Sequence, residues 1–210
     1  MTAPLFFQPK TLSYEDVRKE AEQFLSEYHG TRDLPVPIES IVEFDLSMDV
    51  IPVLGLEQEV GVAGFLASDL EHIYVDKQTF ENSVERYRFT LAHEVGHYWL
   101  HDAFDKQVKI RSIDDFKKAQ NAISNGYRWF EFQANSFAGL VLVPVAELRE
   151  CFDEFSEKAL ALGISIDQLV DHPMRQRLVQ SVAQRFKVSE PVAGRRLEKD
   201  GLLPELARLD

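Results

Sequence analysis

The segment RFTLAHEVGHYWLH, residues 88 to 101, constrains the fold more than any other part of the chain. Apolar residues recur at helical spacing from about residue 83 to residue 100, and this pattern predicts a helix with a broad buried face. His93 and His97 are four residues apart, so their imidazoles lie on one side of that helix, about 6 Å apart along its axis. We therefore predict a core helix that carries two histidines on one face.

The same segment contains the H-E-x-x-H pattern, as His93-Glu94-Val95-Gly96-His97. In this pattern two histidines bind one metal ion, and the glutamate between them lies beside a water molecule on that ion. The alternative is that both histidines are solvated or are hydrogen-bonded core residues. The flanking apolar residues favour a buried active-site helix.

A catalytic zinc ion needs a third protein ligand and one open position for water. His101 is a poor candidate, because on a continuous helix it lies about 12 Å along the axis from His93. We expect it to be a packing residue or to contact a ligand. Glu131 is the better candidate, because it stands in the apolar sequence WFEFQANSF, where an unpaired carboxylate is costly to bury. The alternative partners for Glu131 are three arginines: Arg86, Arg88 and Arg128.

Other side chains could assist a metal centre. Asn135 follows Glu131 by one helical turn and could hydrogen-bond a histidine ring, or it could be an ordinary packing amide. A tetrahedral oxyanion also needs a donor besides the metal. Tyr98, Tyr127 and His172 are chemically suitable, and no spacing rule selects among them.

The sequence before the histidine helix predicts helices and a small sheet. An amphipathic helix follows Ser13, and a short helix follows the prolines of LPVPIESIVEF. Strands are predicted at 48–53, 61–68 and 71–77, and the last two form a hairpin across Asp69-Leu70. We expect a small antiparallel sheet, whose hairpin edge could bind an extended peptide.

The sequence after the histidine helix is predicted to be helical. Residues 112–124 form one helix, and residues 127–143 form a second that is apolar nearly all the way round and therefore buried. Residues 145–210 are entirely helical, with breaks near Gly163, His172-Pro173, Pro191 and Gly201. The fold class is therefore α+β, with one domain at 1–145 and a helical region at 146–210.

Residues 181–202 have the pattern of a helix-turn-helix, which could direct Arg195 and Arg196 toward phosphates. A helical hairpin with a solvated basic edge is the alternative. A net charge of −12 repels a phosphate backbone and favours the hairpin, so we expect no direct binding of nucleic acid.

Composition also indicates where the chain works. The single cysteine, Cys151, excludes an intrachain disulfide and suits a reducing cytoplasm. Residues 1–7 lack the pattern of a signal peptide. The longest apolar run, residues 137–146, is interrupted by Pro144 and is shorter than the ~20 residues that cross a bilayer. We expect a cytoplasmic protein that does not enter a membrane.

RFTLAHEVGHYWLH is followed about thirty residues later by EFQANSFAGLVLVP. The pair is similar to the H-E-x-G-H helix and the E-x-x-A-N/D-x-F-A-x-x-L-x-x-P helix of the ImmA/IrrE family of zinc metallopeptidases. Upstream, LPVPIESIVE and IYVD also resemble this family, and the resemblance covers roughly residues 10 to 145.

The resemblance implies a gluzincin-like core in which His93, His97 and Glu131 bind Zn²⁺, with Mn²⁺ as an alternative ion, and Glu94 is the catalytic acid and base. Well-known members act on helix-turn-helix repressors of the XRE type. We therefore expect a zinc-dependent regulatory endopeptidase whose substrate is such a repressor. The alternative is a regulator or toxin-antitoxin component that binds a repressor or DNA without cutting, around a structural metal. A retained Glu94 favours the enzyme.

Overall fold

The computed structural model describes residues 11–101, 115, 127–165 and 173–204. The chain divides into two compact units, of which the first contains residues 1–30 and 37–141 and the second contains residues 31–36 and 142–210. The first unit combines helices with a three-stranded sheet, and the described part of the second is helical. The predicted α+β class is therefore confirmed. The helix predicted at 112–124 lies outside the described residues apart from Asp115.

The first helix, α1 (Tyr14–Tyr28), begins where the sequence predicts. The Ser13 side chain accepts a hydrogen bond from the backbone N–H of Asp16, and the Asp16 carboxylate accepts one from the backbone N–H of Ser13. This capping box satisfies two N–H groups that a helix end leaves without partners. The apolar side of α1 is buried in the core of the first unit: Val17, Ala21 and Phe24.

Helix α2 (Ile38–Ser40) begins directly after Pro37 and continues as a π-helical segment, Ile41–Asp45, before strand β1 (Asp49–Val53). A short helix that the sequence reading did not include, α3 (Leu56–Val60), follows β1. The residue on each side of α3 is a glycine with a left-handed backbone, for which φ is 74° and 75°. Such φ values favour glycine, so Gly61 is a turn residue.

Strands β2 (Gly64–Leu66) and β3 (His72–Asp76) form the predicted hairpin. The strand order is β1-β3-β2, and β3 pairs antiparallel with β2 but parallel with β1. The prediction of an antiparallel sheet is therefore wrong for one of its two pairs. The chain reverses once around α3 and once in the hairpin, and two reversals give β3 the direction of β1.

Helix α4 (Lys77–Asn82) follows β3 without a loop, and the buried Asp76 is its N-cap. The Asp76 carboxylate accepts hydrogen bonds from the backbone N–H groups of Gln78 and Thr79 at 2.9 and 3.3 Å. Its second oxygen accepts one from the backbone N–H of Glu57, in the first turn of α3, at 3.2 Å. One buried carboxylate therefore caps two helices.

Both helices predicted to carry the site are present. Helix α5 (Val84–Leu100) begins after Ser83, and helix α6 (Tyr127–Leu142) ends before Pro144. The expectation that α6 is buried all the way round is wrong near its beginning. Trp129 and Phe132 are 36% and 40% exposed there, and their rings stack on each other at 5.1 Å.

The second unit contains α7 (Val145–Ala161), α8 (Pro173–Phe186) and α9 (Glu190–Lys199), with breaks close to the predicted positions. Arg196 of α9 is only 4% exposed, so the less favoured helix-turn-helix alternative, in which it reaches phosphates, is wrong for this residue. Its guanidinium donates to the carbonyl oxygen of Val143 at 3.1 Å and pairs with Asp200 at 2.8 Å. No helix in the described part of the chain is long and apolar enough to cross a membrane.

Candidate metal centre

The three predicted ligands, His93, His97 and Glu131, meet between α5 and α6. The Nε2 atoms of the two histidines are 3.0 Å apart. Each lies 3.4 Å from one carboxylate oxygen of Glu131. In the described part of the chain, these three residues form a group that could hold a metal ion, with one ligand atom from each lying within 4.8 Å of the others.

These distances fit a tetrahedral ion. Two donors at about 2.0 to 2.1 Å from zinc, separated by a tetrahedral angle, are about 3.3 Å from each other. The histidine nitrogens are 3.0 Å apart, and each is 3.4 Å from a different oxygen of the Glu131 carboxylate, so the separations are close to this value. Two imidazole nitrogens and one carboxylate are also a known donor set of catalytic zinc, which leaves a fourth position for water or substrate.

Gly96 allows α5 and α6 to approach closely enough for this geometry. A Cβ atom at Gly96 would lie 3.1 Å from the Cα and 3.2 Å from the carbonyl oxygen of Ala134 on α6. Contacts this short require backbone to move. Because Gly96 lies between the two histidines and Ala134 lies one turn after Glu131, the close crossing brings the carboxylate to the imidazoles.

The carboxylate of Glu94 is buried beside this cluster, with 4% of the residue exposed. Its Oε2 accepts a hydrogen bond from the backbone N–H of Leu66 in β2, at 2.8 Å. Gly64 permits this contact, because a Cβ there would lie 2.6 Å from the Thr90 methyl group on α5. No motif in the sequence predicts the role of Leu66, although a glycine inside a strand can signal a close approach of backbone.

The family model described as Peptidase M78, IrrE N-terminal-like domain, matches residues 80–198, which is more than half of the chain. The chain belongs to this family. The expected ImmA/IrrE resemblance is thereby confirmed. The match begins later than the expected residue 10 and extends beyond residue 145 into the second unit. The three candidate ligands and Glu94 therefore lie within an M78 metallopeptidase domain.

Other comparisons add a likeness of fold to the M78 assignment. No curated protein matches the chain. A solved structure described as a Mycobacterium tuberculosis transcriptional regulator is similar, with a TM-score of 0.50 and 18% sequence identity. The similarity covers 88% of this chain and 46% of that one, so the chain spans about half the length of the regulator. At this identity the likeness shows the fold alone.

Within the M78 domain, two of the three alternative arginine partners of Glu131 bind other carboxylates. Arg86 donates to Glu57, and Arg88 donates to Glu39, each at 2.6 Å. Burial alone would raise the pKa of Glu131, but hydrogen bonds to His93 and His97 outweigh burial and hold that pKa well below its usual range. The carboxylate is therefore anionic at neutral pH, as a metal ligand must be.

Asn135 supports the cluster in the way the sequence suggests. Burial lowers the pKa of His93, but hydrogen bonds to Glu131 and Asn135, with the charges of Glu94 and Glu131, raise it overall. The Asn135 side chain also donates to the backbone carbonyl of Glu131 at 2.6 Å. The amide thus contacts both helices of the metal centre.

Burial raises the pKa of Glu94, in spite of the opposing charges of His93 and His97. A carboxyl group with a raised pKa is suited to accept a proton and then release it near neutral pH. Among the oxyanion candidates, Tyr98 interacts with Tyr28 of α1. The side chain of Tyr127 and all of His172 lie outside the described residues.

His101 does not join the three candidate ligands but contacts one of them. Its Nδ1 lies 3.1 Å from Nδ1 of His97, and its Nε2 lies 2.9 Å from the side-chain oxygen of Gln133 on α6. Burial, together with the charge of His97, lowers the pKa of His101 to about 3. The expectation that His101 packs near the centre rather than binding the ion agrees with these contacts.

Proposed function

We propose that this M78 chain is a zinc-dependent regulatory endopeptidase that cleaves a protein substrate. The observation that carries the proposal is the convergence of the imidazoles of His93 and His97 with the carboxylate of Glu131, at separations of 3.0 to 3.4 Å. A structural zinc site would normally have four protein ligands. Three ligands with a buried carboxylate beside them, that of Glu94, are instead the composition of a hydrolytic centre.

Zinc would be held by Nε2 of His93, Nε2 of His97 and the Glu131 carboxylate. When bound, a zinc ion supplies a Lewis acid that polarises a peptide carbonyl and acidifies water. Mn²⁺ is the alternative ion, because carboxylate and imidazole ligands also suit it.

Glu94 performs the proton transfers of the proposed reaction. The Leu66 N–H holds one carboxylate oxygen, which leaves the other free to accept a proton from the attacking water. As the peptide C–N bond breaks, Glu94 passes this proton to the leaving nitrogen. The products are one new carboxyl group and one new amino group, and Glu94 returns to its ionised form.

The proposed substrate is a transcriptional repressor of the XRE helix-turn-helix type in the cytoplasm. The resemblance to the ImmA/IrrE family supports this substrate class. The fold likeness to a protein described as a transcriptional regulator is consistent with a regulatory role. Negative charge on the chain as a whole favours a protein substrate over nucleic acid.

The test is incubation of the purified chain with an XRE-type repressor encoded next to it, with and without added Zn²⁺ or Mn²⁺. We expect the wild type to cut the repressor at a defined bond and Glu94→Gln to lose activity by about 10²- to 10⁴-fold while still binding zinc. Glu131→Ala should lose both zinc and activity. Glu85→Gln, an exposed glutamate on the same helix, is the matched control. Intact repressor under every condition would contradict the peptidase and favour the non-cleaving regulator.

A further inference from the structure

His101 lies at the C-cap of α5, one turn after His97, and is 6% exposed. Both of its ring nitrogens have a partner: Nδ1 faces Nδ1 of His97 at 3.1 Å, and Nε2 faces Oε1 of Gln133 at 2.9 Å. Gln133 is completely buried, and the ring of Phe130 packs against His101 with 4.2 Å between centroids. The two histidines and the glutamine therefore form a continuous chain of hydrogen bonds, of which the His101 and Gln133 side chains are buried.

The partner of Nε2 assigns the proton on the His101 ring. The side-chain oxygen of Gln133 can only accept a hydrogen bond, so Nε2 of His101 carries the proton and donates it. A second proton on Nδ1 would make His101 a buried cation next to a candidate metal ligand, and burial of an unpaired charge is costly. The ring is therefore neutral, and its Nδ1 is an acceptor.

This assignment fixes the proton on His97. Two nitrogens without protons do not attract each other at 3.1 Å, so Nδ1 of His97 carries a proton and donates it to His101. The lone pair of a neutral His97 is then on Nε2, which is the atom near His93 and Glu131. A metal ion binds only a ring nitrogen that presents a lone pair.

We propose that His101 and Gln133 are positioning residues that hold His97 in the tautomer able to bind the metal through Nε2. The inference depends on His97 being a metal ligand, as in the proposed function. Second partners of metal-binding histidines are usually carboxylates or carbonyls, which can only accept. An imidazole in that place could either donate or accept, and Gln133 removes the ambiguity.

The first test measures the zinc affinity of the full-length chain by competition with a chromophoric chelator, without any peptidase assay. His101→Phe keeps an aromatic ring against Phe130 but removes the acceptor, and it should weaken zinc binding by about 10- to 100-fold. His101→Asn restores an amide oxygen near the former Nδ1 and should recover much of that loss. Phe130→Leu changes the packing around His101 without removing either hydrogen bond, so its zinc affinity should stay at the wild-type value.

The second test reads the tautomers directly by long-range ¹H–¹⁵N NMR of the histidine rings in the zinc-loaded protein. We expect the proton on Nε2 in His101 and on Nδ1 in His97. Gln133→Leu should give a mixture of tautomers at His101 and weaker zinc binding. Loss of packing alone would lower stability without redistributing the tautomers, so this readout separates positioning from a structural role.

Several results would overturn the inference. If His101→Phe binds zinc as tightly as the wild type, the positioning role of His101 and Gln133 is wrong, although the metal centre is unaffected. A proton on Nδ1 of His101 would lead to the same conclusion. Equal weakening by His101→Phe and His101→Asn would also contradict it. If the wild-type protein itself bound no zinc, the proposed function would be wrong, and so would the positioning role of His101 and Gln133.

Discussion

The backbone N–H of Leu66 donates to the Glu94 carboxylate at 2.8 Å and so connects the edge strand of the sheet to the candidate catalytic residue. In the same stretch, Ala67 donates to His72 on β3, and Ala63 accepts from Asp76. Alternate residues of an antiparallel strand form the ladder bonds, so the Leu66 N–H faces away from β3. The N–H that binds Glu94 is therefore not one that forms a hydrogen bond within the sheet.

Removal of the Leu66 N–H should reduce turnover without changing the metal site. Leu66→Pro deletes this donor, and proline is tolerated on an edge strand where the N–H does not enter the ladder. A hydrogen bond to a charged group contributes about 1.5 to 3 kcal/mol, so we expect kcat to fall by about tenfold or more. Leu66→Ala keeps the N–H, and the ratio of kcat between the two variants isolates the donor. Equal kcat values would contradict the role given to this contact.

Replacement of Gly96 should disturb both stability and metal binding. In Gly96→Ala the new methyl group meets the backbone of Ala134, and overpacking of this kind lowers the free energy of unfolding by about 1 to 3 kcal/mol. Zinc affinity should also fall, because metal–ligand distances tolerate only about 0.2 Å. Gly194→Ala in α9 is the control, since its nearest neighbour would be 3.9 Å away. Urea unfolding and chelator competition should show a loss of stability and of zinc affinity for Gly96→Ala but not for Gly194→Ala.

The metal-free protein should lose stability as the pH falls below about 6.5. Burial lowers the pKa of His101 to about 3, whereas a histidine in an unfolded chain titrates near 6.5. Between these values the unfolded chain binds a proton that the folded chain does not, so the stabilising contribution is complete above pH 6.5 and declines toward pH 3. His101→Phe removes this pH-dependent contribution. Its free energy of unfolding, measured in urea, should therefore decline less steeply than that of the wild type between pH 6.5 and 4. Parallel pH profiles of unfolding free energy for the wild type and His101→Phe would contradict this role of His101.

Adjacent arginines of α9 should differ sharply in their effect on stability. Arg196→Gln removes the buried ion pair between Arg196 and Asp200, and breaking a buried pair costs about 3 to 5 kcal/mol. Arg195 is exposed, so Arg195→Gln should change the free energy of unfolding by no more than about 0.5 kcal/mol. Urea denaturation of the two variants compares them directly. Similar free energies of unfolding for the two variants would show that the burial of Arg196 contributes little to stability.

The parts of the site that depend on local sequence could be predicted. Helix α5 has its apolar spacing and its histidine pair within seventeen consecutive residues, with its Ser83 cap directly before them, so every determinant is visible in one segment. His93 and His97 share a face because of helical geometry alone. Glu131 could be predicted to lie beside the two histidines because an acidic residue in an apolar helix needs a buried partner.

The parts that depend on backbone groups from distant segments could not be predicted. Every residue other than proline has a backbone N–H, so the identity of residue 66 does not reveal that its N–H donates to Glu94. The direction of β1 against β3 depended on α3, a five-residue helix too short for a periodic signal. Arg196 stands in a basic pair that suggests a solvated surface, but consecutive helical residues point about 100° apart, and only Arg195 faces solvent.

The double cap at Asp76 has a consequence for the cooperativity of local unfolding. Its carboxylate connects the beginnings of α3 and α4 to the end of β3, so these three elements should open together rather than fray one at a time. Strand β3 is also the ladder partner of β2, which holds Glu94. A rare opening event centred on this aspartate would therefore release the candidate catalytic carboxylate of Glu94 from its backbone partner.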